Sequence, residues 1–382
     1  MDNWIKTKLG KHTIKVGSGI TPRGGSAVYK AEGIPFIRSQ NVLENKLDNS
    51  DIVYITDDQH RKMASSKVKE GDVLLNITGA SIGRSCIVDN SITEANVNQH
   101  VCIIRTKKDE LNPKYLSQFL NSFYGYKIIY SFQAGGNRQG LNYQQIRSFP
   151  LLLPKIEEQN KIAQILLTWD EAIETVEELI EKKKKLKKGL LNETFSDLST
   201  KKLVDVANII MGQSPSSSSY NDLSDGLPFV GGNADIRENE TKPRFFTNQI
   251  TKIAKPDDII LTVRAPVGEI ARNEIEVCIG RGVCSLRPKL ATDSSYIYQA
   301  LKHKQRKWKA FEQGSTFTAV NSNDIKKFPV PWLDDPNSRV DAAISLDQID
   351  EEIELLVVKK KLLNKQKKGL MQRLLTGKVK VN

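Results

Sequence analysis

Residues 157–195 read EEQNKIAQILLTWDEAIETVEELIEKKKKLKKGLLNETF, and a second version of this stretch occupies 337–375. Aligning DEAIE at Asp170 with DEEIE at Asp350 separates the copies by 180 positions, and aligning KKGLL at Lys187 with KKGLM at Lys367 gives 180 again, without a gap. Apolar residues recur at alternating steps of three and four. They are Ile162, Leu166, Trp169, Ile173, Val176 and Ile180 in the first copy, and Leu346, Ile349, Ile353, Leu356, Leu363 and Leu370 in the second. That spacing predicts two long helices with a coiled-coil seam. At about 1.5 Å rise per residue each is a rod of roughly 58 Å, and a single rod cannot bury its own seam.

Charge predicts how the rods pair. Each copy is acidic early, with Asp170, Glu171, Glu174, Glu177, Glu178 and Glu181 in one and Asp350, Glu351, Glu352 and Glu354 in the other. Each is lysine-rich late, at Lys182–185, Lys187 and Lys188, then at Lys359–361, Lys365, Lys367 and Lys368. A parallel pair would set acid against acid; an antiparallel pair sets each acidic segment beside the other copy's lysines.

The duplication runs through the whole chain. GDVLLNITGASIG from Gly71 matches DDIILTVRAPVG from Asp257, and NQHVCIIR from Asn98 matches GRGVCSLR from Gly280. GLNYQQIRSFPLLLP from Gly140 matches AVNSNDIKKFPVPW from Ala319, and PFIRSQNV from Pro35 resembles PFVGGNAD from Pro228. A period near 180 is too long for a solenoid and marks a duplicated domain. VLLNI, IILTV, VCIIR and VCSLR read as strands, the first two ending in glycine turns, whereas LSQFLNSFYGYKII and IYQALKHKQRKWKAF carry helical spacing. Prolines at 150, 154, 329, 331 and 336 separate each domain from its helix. The expected fold class is α+β. Two mixed α/β domains, 1–155 and 197–335, are arranged pseudo-twofold and separated by two long antiparallel helices, 156–196 and 336–376, with a tail at 377–382.

The 382 residues include 39% hydrophobic and 27% charged, ordinary for a globular protein, with a formal net charge of +12 that suits a polyanionic partner. No apolar run is long enough to span a membrane and no signal-peptide pattern follows Met1, so a cytoplasmic location is expected. Cys86, Cys102, Cys278 and Cys284 form no CxxC pair and read as reduced core residues. The four histidines are scattered, and none reads as a catalytic base.

Two unlike halves, the PFIRSQN and TVRAPVG stretches, the phenylalanine-proline exit into LLLPKIEEQNKIAQIL and the twin lysine-rich helices together resemble the specificity subunit of a type I restriction-modification system, over residues 3–376. The second helix departs from the pattern, starting NSRVDAAISL in place of an EEQ-type turn. The resemblance implies that each half is a target recognition domain reading one part of a split, asymmetric sequence in double-stranded DNA. It also implies two modification subunits that use S-adenosylmethionine and restriction subunits that use ATP and Mg, with no cofactor or metal in this chain. Membrane is not an expected partner.

Base readout needs Arg, Lys, Asn or Gln on loops. The candidates are Arg38, Gln40, Asn41, Thr78, Ser81, Arg84, Asn137, Arg138 and Gln139 in the first half, and Asn233, Arg264, Arg281, Thr316 and Thr318 in the second. Structural roles compete: Asn41 and Asn233 read as equivalent repeat positions that can cap a common turn, and Arg264 can pin its glycine turn. The chain lacks a D/N-P-P-Y/F methyltransferase motif, a GxxxxGK[ST] phosphate loop, and an E-x-K after Pro256-Asp257-Asp258. Catalysis is therefore expected from other chains. Leu179, Leu186, Leu190, Leu362 and Leu374 form an apolar flank beyond the seam, suited to docking modification subunits or to widening the contact between the helices. Competing functional readings are a coiled-coil adaptor and a stand-alone DNA-binding regulator.

Overall fold

The computed structural model describes residues 4–133, 140–312 and 320–381. Two helices dominate, Ile156–Phe195 and Pro336–Leu374. The chain divides into two compact units, 1–177 with 358–382 and 178–357, so each unit takes part of both helices.

In the first unit the strands Thr13–Ser18, Val101–Thr106, Val73–Asn76 and Ser85–Ile87 form an antiparallel sheet in that order. A second sheet orders Val53–Ile55, Ile34–Ile37, Ala95–Val97 and Lys67–Val68, its central pair parallel. Alternation along the central strands feeds two cores. Val73, Leu75, Cys102 and Ile104 join Ile162, Leu166, Met371 and Leu374 from the helices. Leu74, Val101 and Ile103 face Ile37, Ala95 and Val97 of the second sheet. Ile5–Lys8 and Pro150–Leu153 pair where chain enters and leaves the domain.

The second unit repeats this plan with longer sheets. One runs Ala207–Met211, Val283–Pro288, Ile259–Thr262, Ile270–Arg272, Glu240–Thr241, Ile236–Arg237, and the other Tyr220–Asn221, Phe245–Thr247, Leu227–Val230, Val277–Ile279, Ile253–Ala254. Ile259, Leu261 and Cys284 pack with Phe195, Ala343 and Leu346, while Ile260 and Val283 join Val230 and Ile279. Both glycine turns sit in left-handed backbone, at φ +91° for Gly83 and +87° for Gly268. A Cβ at Gly268 would also lie 2.4 Å from that of Trp308, so no other residue fits there.

The two predicted helical stretches are each interrupted. Pro113–Leu120 stops at Asn121, and Ser122 caps a new helix, Phe123–Ser131, by accepting from the amide of Gly125 at 3.2 Å. Ser294–His303 gives way to a 3-10 helix, Gln305–Glu312.

The unusual start of the last helix has a physical account. Gln159, in the first turn of its helix, is fully buried; its amide accepts from the backbone N–H of Asn112 and donates to the carbonyls of Glu110 and Pro154. Arg339 stands 180 positions later and is also buried. Its guanidinium donates to the carbonyls of Leu333 and Asp334 and pairs with Asp293 at 2.7 Å. A neutral pin in one unit is replaced by an ion pair in the other. Asp335 caps this helix by accepting from the Ser338 amide at 2.8 Å.

The twelve seam positions are buried or half-buried throughout. The flank differs from expectation: Leu179, Leu186 and Leu362 are exposed, but Leu374 is buried in the first core and Leu190 packs against the second. Leu374 lies in the last turn, where the helix meets the domain core. All four cysteines are free thiols and buried. Among the described residues no helix is long and apolar enough to cross a membrane.

Candidate nucleic-acid interface

Five segments of the first unit converge at one end of its main sheet. The buried amide of Asn76 donates to the carbonyl of Ser39 at 2.8 Å and to the hydroxyl of Ser81 at 3.1 Å, binding the turn after Ile34–Ile37 to the hairpin turn at 77–84. The backbone amide of Ile77 donates to the carbonyl of His100, and that of Leu141 to the carbonyl of Ile77. The amide of Gly19 donates to Asn98, at a spot where a Cβ would lie 1.5 Å from the Val97 carbonyl oxygen. Backbone contact this close requires glycine.

The second unit builds the same cluster. Val263 donates to Gly282, Val320 to Val263, Gly282 to Gly231 and Gly212 to Val283. Gly212 is the counterpart of Gly19, since a Cβ there would lie 2.1 Å from the carbonyl oxygen of Gly280.

The structure separates the predicted residues by role. Asn41 is buried; its carbonyl oxygen accepts from the Arg38 amide at 2.9 Å, and its amide donates to the carbonyls of Asp48 and Asp51. This side chain is committed to its own turn. Its counterpart is not Asn233. Asp235, also buried, ends the equivalent 3-10 turn and accepts from the Gly231 amide at 2.9 Å and from Arg244 at 2.8 Å. One extra residue follows the strand Leu227–Val230, which shifts the register by one and leaves Asn233 exposed at the head of the turn.

Arg38 is half-buried and donates to Asp51, and the exposed Gln40 donates to the same carboxylate. Thr78 shares a 2.6 Å hydrogen bond with His100, while Ser81 accepts from Asn76. Arg84 and Arg264 are exposed on the two equivalent hairpin turns, and Arg281 is exposed on the turn between Val277–Ile279 and Val283–Pro288. Asn137, Arg138, Gln139, Thr316 and Thr318 lie outside the described residues. Residues 140 and 320, which follow those two segments, enter the clusters at Thr78 and Val263.

Sequence reasoning missed Thr21, Gln99 and His100, which also belong to the first cluster. The signal was present, because aligning NQHVC with GRGVC sets Gln99 against Arg281. Among the described residues no group of three or more His, Cys, Asp or Glu side chains could hold a metal ion. The clusters carry amides, hydroxyls and guanidiniums around an unreactive backbone frame. Such groups can read and grip a ligand.

The type I restriction modification DNA specificity domain matches this sequence twice, over residues 11–185 and 196–365. The chain belongs to that family. A relative named as the MjaX specificity subunit of a type I restriction enzyme, from Methanocaldococcus jannaschii, is 30% identical over 376 residues, covering 91% of this chain and 88% of the relative. The HindI specificity subunit of Haemophilus influenzae is 24% identical over 199 residues, covering 52% and 42% of the two chains. The fold is similar to that of a type I restriction-modification S subunit from M. genitalium, at a TM-score of 0.67, 17% identity and coverage of 97% and 96%. It is also similar to a chain from a type I restriction-modification complex, at 0.60, 21% and 98% of each chain. As a family member the chain supplies DNA sequence specificity and is not itself catalytic.

Proposed function

We propose that the chain reads a split, asymmetric sequence in double-stranded DNA, one part through each of the domains 1–155 and 197–335. The helices 156–196 and 336–376 serve as an antiparallel coiled-coil spacer in a pseudo-twofold arrangement. The observation that carries this reading is the loop cluster built twice on one backbone frame with different exposed side chains. Equal frames with unequal readers suit two unequal half-sites.

Ion pairs within each unit support the antiparallel spacer. Asp170 pairs with Lys367 and Glu177 with Lys360 in the first unit; Lys187 pairs with Asp350 and Lys183 with Glu352 in the second. Rising numbers on one helix meet falling numbers on the other. The exposed apolar residues Leu179, Leu186, Leu355 and Leu362 on the helices give two modification subunits a place to dock. Those subunits would bring S-adenosylmethionine, and restriction subunits ATP and Mg.

Phosphate contacts release counterions, so affinity for duplex DNA should fall linearly on a double-logarithmic plot against salt. Binding of the assembled complex, measured from low to physiological salt, is expected to show that slope. A complex without affinity for duplex DNA even at low salt would contradict the reading.

A further inference from the structure

Val101 and Val283 occupy the same register in the two units, paired with Asn76 and Thr262 at the ends of equivalent hairpin strands. Two residues earlier in each unit lie Gln99 and Arg281, both exposed. Their side chains therefore leave the same point of the two loop clusters.

Gln99 is oriented by its neighbours. The Thr21 hydroxyl donates to its Oε1. Its Nε2 lies 3.1 Å from His100 Nε2, and His100 Nδ1 lies 2.6 Å from Thr78 Oγ1. An amide nitrogen can only donate, so His100 accepts at Nε2, carries its proton on Nδ1 and donates to Thr78. A glutamine amide has two N–H donors and two acceptor lone pairs. The network uses one of each and leaves one donor and one acceptor on an exposed side chain. In the major groove adenine offers the matching acceptor N7 and donor N6, whereas guanine offers two acceptors, N7 and O6, which suit a guanidinium. The Arg281 backbone is held in turn by its amide donating to Ser214 Oγ at 3.0 Å.

We infer that Gln99 and Arg281 are a matched pair of base-reading positions, Gln99 selecting adenine in one part of the target and Arg281 selecting guanine in the other. The inference rests on the DNA-reading assignment proposed above. Thr21 and His100 are positioning residues that hold the Gln99 amide in the orientation it reads with.

The test is the methylation profile of genomic DNA from cells expressing the chain together with its modification subunits, for wild type, Gln99→Ala, Gln99→Arg and Arg281→Gln. Gln99→Ala is expected to reduce discrimination at one adenine of one part by about tenfold to a hundredfold, the range of a bidentate contact. Gln99→Arg should move that position toward guanine, and Arg281→Gln should move one guanine of the other part toward adenine. In each case the untouched part reports that the variant folds and assembles. Unchanged motifs in the variants, or changes in both parts at once, would overturn the pairing while leaving the DNA-reading assignment intact. A wild-type complex that methylates no split motif would overturn the assignment and the pairing together.

Discussion

Lys187 binds both carboxylate oxygens of Asp350, and that carboxylate also accepts from the buried amide of Gln299. The same triangle recurs at the equivalent repeat positions, where Asp170 takes Lys367 and Gln118. One acidic side chain thus joins its own helix, the other helix and the domain packed on them. Lys187 and Asp350 are largely shielded from solvent, at 14% and 30% side-chain exposure, so this pair exceeds an ordinary surface contact. Lys187→Glu is expected to destabilise the chain, with a coupling to Asp350 of about 1–3 kcal/mol. The exchange Lys187→Glu with Asp350→Lys should recover part of that loss in a denaturant titration. No coupling between the two sites would contradict the pairing.

Arg339 and Asp293 are each 4% exposed. Removing one member leaves a buried charge alone, so Arg339→Ala should cost about 3–5 kcal/mol. The double variant Arg339→Gln with Asp293→Asn sets at both positions the neutral residue types that stand at Gln159 and Asn112 in the other unit, where the Asn112 backbone N–H donates to the Gln159 amide oxygen. It is expected to regain more than half of the loss, as read by thermal melting.

Burial pushes the thiols of Cys86, Cys102 and Cys284 up to about 12, and Cys278 is buried as well. The thiolate is the reactive form. At pH 8 the native chain should resist alkylation, and all four cysteines should react once guanidinium unfolds it. Mass spectrometry of the alkylated chain distinguishes the two states.

The spacer predicts a length effect. Inserting four residues between Glu181 and Lys182, and four more between Leu355 and Leu356, extends both helices by about 6 Å. The gap between the two parts of the target should grow by about two base pairs, at roughly 3.4 Å each. Both half-site sequences should stay the same. Altered half-sites with an unaltered gap would contradict the spacer.

Much of this architecture was legible because it follows from period and sign. The seam from Ile162 to Ile180 repeats at three and four, acid precedes lysine in both helices, and glycine marks the turns at Gly83 and Gly268. What escaped was set by three-dimensional substitution. Gln159 and Arg339 share no charge and no shape, yet each pins a helix start. Asn41 and Asp235 hold equivalent turns, but one is an amide and the other an acid, and one inserted residue sets Ala234 opposite Asn41 when the two stretches are aligned without a gap. Leu374 read as exposed because helical spacing does not reveal where a domain core meets the last turn. The loop clusters were visible as anchors only. Which residues join them depends on backbone contacts such as those of Gly19 and Gly212, between segments far apart in the chain.

The measurement that bears most directly on the central claim is a map of methylated bases in the host genome, with and without the gene for this chain. The account predicts a split, asymmetric methylation motif that is present with the gene and lost on its deletion. An unchanged methylation map after deletion would contradict it.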